Sequence, residues 1–157
     1  MWKFWKAMVE IDGYKYFRHG SGLVDRSASV HKTVVLGHGS RIGPKVTVDR
    51  DTRIGDQVVV DVDAKIGQKV QIGDYTQIGL WVMIGDQVEI DRNVVIEPGA
   101  KIGPRVKIGE GSLIGDSAAI GADAIIEDHS IIDEHAELPR GIKIPSNSKV
   151  LFGEWDS

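Results

Sequence analysis

Every sixth residue from Val24 to Val150 is Val, Ile or Leu, through twenty-two consecutive positions. The run passes Leu36, Ile54, Ile72, Ile90, Ile108 and Ile126 without a break. Self-similarity at a fixed short spacing marks a stacked solenoid rather than a globular core. Two residues before each aliphatic stands a small side chain, as in Ala28, Ser40, Val46, Thr52, Ala64 and Thr76, and only Ile142 exceeds valine in size. Positions i and i−2 share one face of a strand, so both columns point into a common interior. The residue after the aliphatic is usually glycine, as at Gly43, Gly55, Gly67 and Gly73, and otherwise mostly Asp or Glu. Gly and Asp tolerate positive φ, so this column is expected to turn the corner. One unit is one strand plus one corner.

The unit resembles the hexapeptide repeat of left-handed parallel β-helices, [LIV]-G-x-x-[STAV]-x, over roughly residues 22–150. That resemblance implies an all-β fold, a triangular left-handed solenoid of about seven coils with three units per coil, so that residues eighteen apart stack. Left-handed winding is an exception to the usual crossover rule. At ~4.8 Å per stacked strand the prism is roughly 34 Å long. Acyltransferases, γ-class carbonic anhydrases and non-catalytic assembly proteins share this repeat, so the fold does not choose the function.

Three segments follow: an N-terminal aromatic arm and hairpin cap over 1–21, the β-helix over 22–150, and a tail over 151–157. Trp2, Phe4, Trp5, Tyr14, Tyr16, Phe17, Phe152 and Trp155 all fall outside the core repeats, because a narrow prism has no interior room for rings. Met8-Val9-Glu10-Ile11 and Tyr14-Lys15-Tyr16-Phe17 flank Asp12-Gly13, a dipeptide favoured in hairpin turns. The segment reads as a cap that blocks strand pairing at the open end, or as an arm whose Trp2, Phe4 and Trp5 dock on another protein. The net charge of −4, with cations scattered among acids, gives no footprint for nucleic acid. Cysteine is absent, which removes thiolate metal sites and thiol nucleophiles. No apolar stretch reaches the length of a membrane span and residues 1–20 lack a signal-peptide core, so the expected setting is soluble, cytoplasmic or virion-associated.

Outward positions, taken in steps of eighteen, separate three walls. The first reads Leu23, Arg41, Val59, Gln77, Val95, Leu113, Ile131 and Lys149. The second reads Ser29, Thr47, Lys65, Met83, Lys101, Ala119 and Glu137, and the third Val35, Arg53, Gln71, Glu89, Lys107, Ile125 and Lys143. Only the first is apolar over its length, and an exposed apolar strip calls for a partner. The resemblance suggests a homotrimer about an axis parallel to the prism, with Leu23, Val59, Val95, Leu113 and Ile131 buried, joined by Leu80, Trp81 and Met83 near the next corner.

Chemistry rests on few residues. In the γ-class carbonic anhydrases two zinc histidines of one subunit stack on successive coils. Here eighteen residues separate His31 from Asp49, His38 from Asp56, His129 from Gly111 and His135 from Ser117, so no two histidines stack and no zinc triad is expected. An acyltransferase of this superfamily would need a general base beside an intersubunit groove, and His129, two residues before Ile131 on the apolar wall, is the candidate. The column His38, Asp56, Asp74, Arg92, Glu110 and Asp128 stacks acids, and Asp56 with Asp74 is a weak cation candidate.

The reading favoured by the unbroken register, the missing triad and the apolar wall is a homotrimeric, non-catalytic structural or interaction module, of the assembly or virion-decoration kind, needing no cofactor. The alternative is an acyltransferase using acetyl-CoA or another acyl-CoA with His129 as base. A carbonic-anhydrase-like protein without its zinc triad is a further alternative.

Overall fold

A computed structural model describes Met8–Ile11, Tyr14–His19 and residues 22–153; Trp2, Phe4 and Trp5 of the expected arm, and Trp155, lie outside the described residues. Strands β1 (Met8–Ile11) and β2 (Tyr14–His19) pair antiparallel, with Met8 opposite Phe17 and Ile11 opposite Tyr14. β2 continues antiparallel onto β3 (Gly22–Asp25), and every later strand is a two-residue segment paired in parallel with the strand one coil away. Three flat sheets result, and they wind as a left-handed β-helix of about seven turns. The hairpin extends the first wall, so the edge of β3 is paired rather than open.

Register between the parallel strands is eighteen residues throughout. Leu23 pairs with Arg41, Lys65 with Met83, Met83 with Lys101, and Leu113 with Ile131. Ile42, Ile96, Ile114 and Ile132 are sealed inside, with Val46, Val58, Ala64 and Ala118 beside them as the smaller inward column. Large and small side chains alternate along each coil, which lets three walls close around a core without rings.

The corner differs from expectation. Positive φ falls three residues after the aliphatic, not on the glycine that follows it: Lys45, Gln57, Tyr75, Trp81, Asn93, His129 and His135 all lie between 55° and 59°. The glycine column answers another demand. A Cβ on Gly37 would fall 2.2 Å from the carbonyl carbon of Gly55, and one on Gly73 would fall 2.5 Å from the backbone nitrogen of Arg92. Coils pack too closely there for any side chain.

Candidate functional site

The interior offers no place for chemistry. Its few polar side chains are all engaged: Ser40 Oγ donates to Gly55 O at 2.6 Å, Thr52 Oγ1 to Gly67 O at 2.8 Å and Ser130 Oγ to Pro145 O at 2.9 Å. No buried side-chain nitrogen or oxygen among the described residues lacks a partner. Function therefore belongs to walls and corners, where the repeat constrains side-chain identity least.

Leu23, Val59, Val95, Leu113 and Ile131 share the first wall, as their spacing requires, and the first four are half-buried in the isolated chain. Leu80 and Trp81 stand on the corner that leads to the second wall, and Met83 lies on that second wall itself. The two corners bordering the first wall carry Tyr75, Asn93, His129, Trp81, Ser117 and His135. The far corner is charged, with Asp51, Lys69, Arg105 and Asp123 in the same position of the unit. There Arg105 Nε meets Asp123 Oδ1 at 2.6 Å and Arg140 meets Asp123 Oδ2 at 2.8 Å. The hydrogen bond from Arg105 is the main cause holding the Asp123 carboxyl below its usual range.

His129 occupies the third-to-first corner. Its backbone N–H donates to Glu110 O at 2.7 Å, and Ile131 follows two residues later on the apolar wall. The ring lies over Gly111 of the preceding coil: a Cβ there would fall 2.5 Å from Nδ1 and 2.9 Å from Cε1. Absence of a side chain at 111 makes the niche. Glu110 is pulled below the usual carboxylate range mainly by its hydrogen bond from Arg92, whose Nε lies 2.9 Å from Oε1, with a smaller attraction from His129. Among the described residues neither ring nitrogen of His129 has a hydrogen-bond partner. An open trough of about 670 Å³ runs along the third wall past Gln71 and Lys107 and ends at Glu127, Asp128 and Ser146, beside this corner.

The other described histidines are placed differently. His31 Nδ1 is held by Thr33 Oγ1 at 2.9 Å, and the His135 ring meets Phe152 edge-on at 6.3 Å. His129 and His135 lie on different corners, and no group of three His, Cys, Asp or Glu side chains able to hold a metal forms among the described residues. The acidic column is wired into the backbone. Asp56 Oδ1 accepts the His38 N–H at 2.7 Å, Asp74 Oδ1 the Asp56 N–H at 2.8 Å, and Asp128 Oδ1 the Glu110 N–H at 3.0 Å. Each carboxylate is bound to the coil before it, so the repulsion that suggested a cation at Asp56 and Asp74 is relieved by amide donors.

Comparison with known proteins bears on both fold and function. A family model described as "Bacterial transferase hexapeptide (six repeats)" matches residues 82–116. The hexapeptide repeat of that family is thus matched over one stretch of the prism, and the fold around it is a left-handed β-helix. It resembles the acetyltransferase domain of PglB from Neisseria gonorrhoeae (22% identity, TM-score 0.57), covering 82% of this chain and 53% of that one. PerB from Caulobacter crescentus, solved with CoA and GDP-perosamine, is similar at 20% identity and TM-score 0.51, over 78% and 52%. The UDP-N-acetylglucosamine acyltransferase of Francisella novicida follows at 18% identity and TM-score 0.52, over 85% and 60%. The chain spans about half the length of the first two. No curated protein matches it in sequence.

These neighbours count against the expectation of a non-catalytic assembly or virion-decoration module, since those named here include an acetyltransferase domain and a UDP-N-acetylglucosamine acyltransferase and none is an assembly or virion protein. The physical reason lies in what an unbroken register excludes. It rules out a pocket made by a loop inserted between coils and leaves a cleft between the corners of adjacent prisms untouched. No helix long and apolar enough to cross a membrane is present among the described residues.

Proposed function

We propose that this protein is an acyltransferase that takes its acyl group from acetyl-CoA or another acyl-CoA and passes it to an amine or hydroxyl acceptor, with His129 as general base. The observation that carries the reading is an imidazole with both nitrogens unengaged, set in a glycine-made niche at the edge of the apolar wall. A base needs a free nitrogen within hydrogen-bond reach of the proton it accepts. His31, tied to Thr33, does not offer one on Nδ1. The acceptor's nitrogen or oxygen attacks the thioester carbonyl as His129 takes its proton; the C–S bond then breaks, leaving the amide or ester, and CoA leaves as the thiol with the proton that His129 returns. Similarity to PglB, PerB and UDP-N-acetylglucosamine acyltransferase structures supports the same chemistry.

The working form is a homotrimer in this reading. Three copies that turn their first walls toward a three-fold axis bury Val59, Val95, Leu113 and Ile131 and leave the charged far corner outside. That arrangement sets the third-to-first corner of each copy beside the first-to-second corner of the next. His129 then lines a cleft between chains, which supplies the enclosure that a single prism lacks. Leu113→Asp combined with Ile131→Asp is expected to convert the trimer to monomers by light scattering, because it places six carboxylates in a desolvated contact. A trimer that survives the double change moves the interface to another wall.

Acetyl-CoA at about a hundredfold excess over its dissociation constant is expected to raise the unfolding midpoint by about 5 °C or more, as mass action stabilises the folded state by about 2.7 kcal/mol. A midpoint unmoved by acetyl-CoA, and by longer acyl-CoA thioesters, overturns the assignment.

A further inference from the structure

Between residues 22 and 150 the chain has only two aromatic rings, Tyr75 and Trp81. They are six residues apart, so they fill the same corner position of adjacent units, three residues after Ile72 and Ile78. Tyr75 stands on the third-to-first corner and Trp81 on the first-to-second corner, one at each edge of the apolar wall. Each backbone is tied to the coil before it: Tyr75 N–H donates to Asp56 O at 2.9 Å and Trp81 N–H to Val62 O at 3.0 Å. The rings themselves are 60% and 61% exposed, and neither meets another ring among the described residues. Neighbouring rungs offer nothing comparable. Below, the same two corners carry Gln57 and Asp63; above, they carry Asn93 and Gly99, then Gly111 and Ser117.

A threefold axis parallel to the prism keeps all copies at one height and sets each third-to-first corner beside the first-to-second corner of the next. Positions six residues apart differ in height by a third of a rung, about 1.6 Å, so Tyr75 of one copy arrives level with Trp81 of the next. The operation that buries the apolar wall therefore also gives each exposed ring a partner. Aromatic pairs are favourable edge-on or offset, with centroids about 4.5–7 Å apart.

We propose that Tyr75 of each copy packs against Trp81 of the next and closes the seam at this rung. This rests on the trimer put forward above and adds the contact that fixes one copy's height against another's. Above the pair, the facing corners carry two glycines, a serine and Asn93, which leave the seam open, and His129 follows three rungs, about 14 Å, higher. The cleft that His129 lines thus has a floor made by two chains. One prism alone cannot supply it.

Cysteine is absent from the chain, so introduced thiols report this contact without background. Tyr75→Cys combined with Trp81→Cys, treated with a short bismaleimide at a concentration where light scattering finds trimer, is expected to give a covalent trimer on a denaturing gel. Each single variant is expected to run as one chain. A product that stops at dimer overturns the threefold seam, and bridging by a single variant overturns the pairing. Tyr75→Ala and Trp81→Ala are each expected to raise the trimer's dissociation constant by about tenfold or more, because every trimer loses three ring pairs. The double alanine variant is expected to lose no more than the larger single effect, and additive losses overturn the contact. A trimeric double-cysteine variant that does not cross-link overturns this contact and leaves the trimer standing. An unaltered protein that is monomeric overturns both, while turnover of the unaltered protein decides the catalytic reading separately.

Discussion

Gly73→Val is expected to break the prism in its middle, lowering stability by about 4 kcal/mol, whereas Gly141→Ala costs only about 1 kcal/mol. Both glycines follow from the repeat, yet they meet different demands. Gly73 does not have positive φ, so valine's backbone conformation is unstrained there. Its Cβ, however, would lie 2.5 Å from Arg92 N and 2.6 Å from the Asp91 carbonyl carbon. Those atoms cannot retreat, because Gly73 N–H donates to Ile90 O at 2.8 Å and Asn93 N–H to Asp74 O at 2.9 Å. Inserting a side chain therefore stretches the ladder that fixes the spacing of the coils. Solenoid stability is carried by contacts between neighbouring coils, so one spoiled interface divides the stack. Gly141 has φ of 72° and open space around its missing side chain, and alanine adds only backbone strain. Urea unfolding of the two variants decides between the causes. Equal losses would mean that corner geometry, not close stacking, explains the glycine column.

That glycine column shows where the sequence spoke clearly and where it misled. The period of six, the eighteen-residue register, the inward columns and the pairing of Met8–Ile11 with residues 14–17 were legible, the first three because an aliphatic at every inward position leaves no other way to bury it. Leu23, Val59, Val95, Leu113 and Ile131 share a wall for the same reason. The turn was misplaced by two residues: glycine after the aliphatic suggested positive φ, but Lys45, Trp81 and His129 carry it. Spacing along a chain does not reveal how closely two coils approach. Residue types alone also do not show that the carboxylates of Asp56 and Asp74 accept amide N–H groups of the preceding coil. Met83 stands on the second wall, where the eighteen-residue columns put it. Function was the least legible property. The repeat dictates inward residues, while His129 and Trp81 sit at outward positions that folding leaves free, and a cleft between copies is invisible in one chain.

His129→Asn is expected to reduce acyl transfer by about 10²–10⁴-fold while acetyl-CoA still raises the unfolding midpoint as before. Asparagine suits this test because it tolerates the φ of 56° that residue 129 adopts, so the imidazole is removed without added backbone strain. The side chain is exposed, and exchanging it alters stability by about 0.5 kcal/mol or less. Loss of turnover with retained binding is the signature of a group that acts on the reacting atoms rather than on affinity. Gly111→Ala supplies a second reading of the same site. Its methyl would fall 2.5 Å from Nδ1 and displace the ring from its niche, lowering kcat by about tenfold or more with the imidazole still present. His135→Asn, on the other corner and packed against Phe152, should leave kcat within about twofold. If His129→Asn turns over normally and His135→Asn does not, the base lies on the first-to-second corner, and the cleft must be built from the opposite edge of the apolar wall.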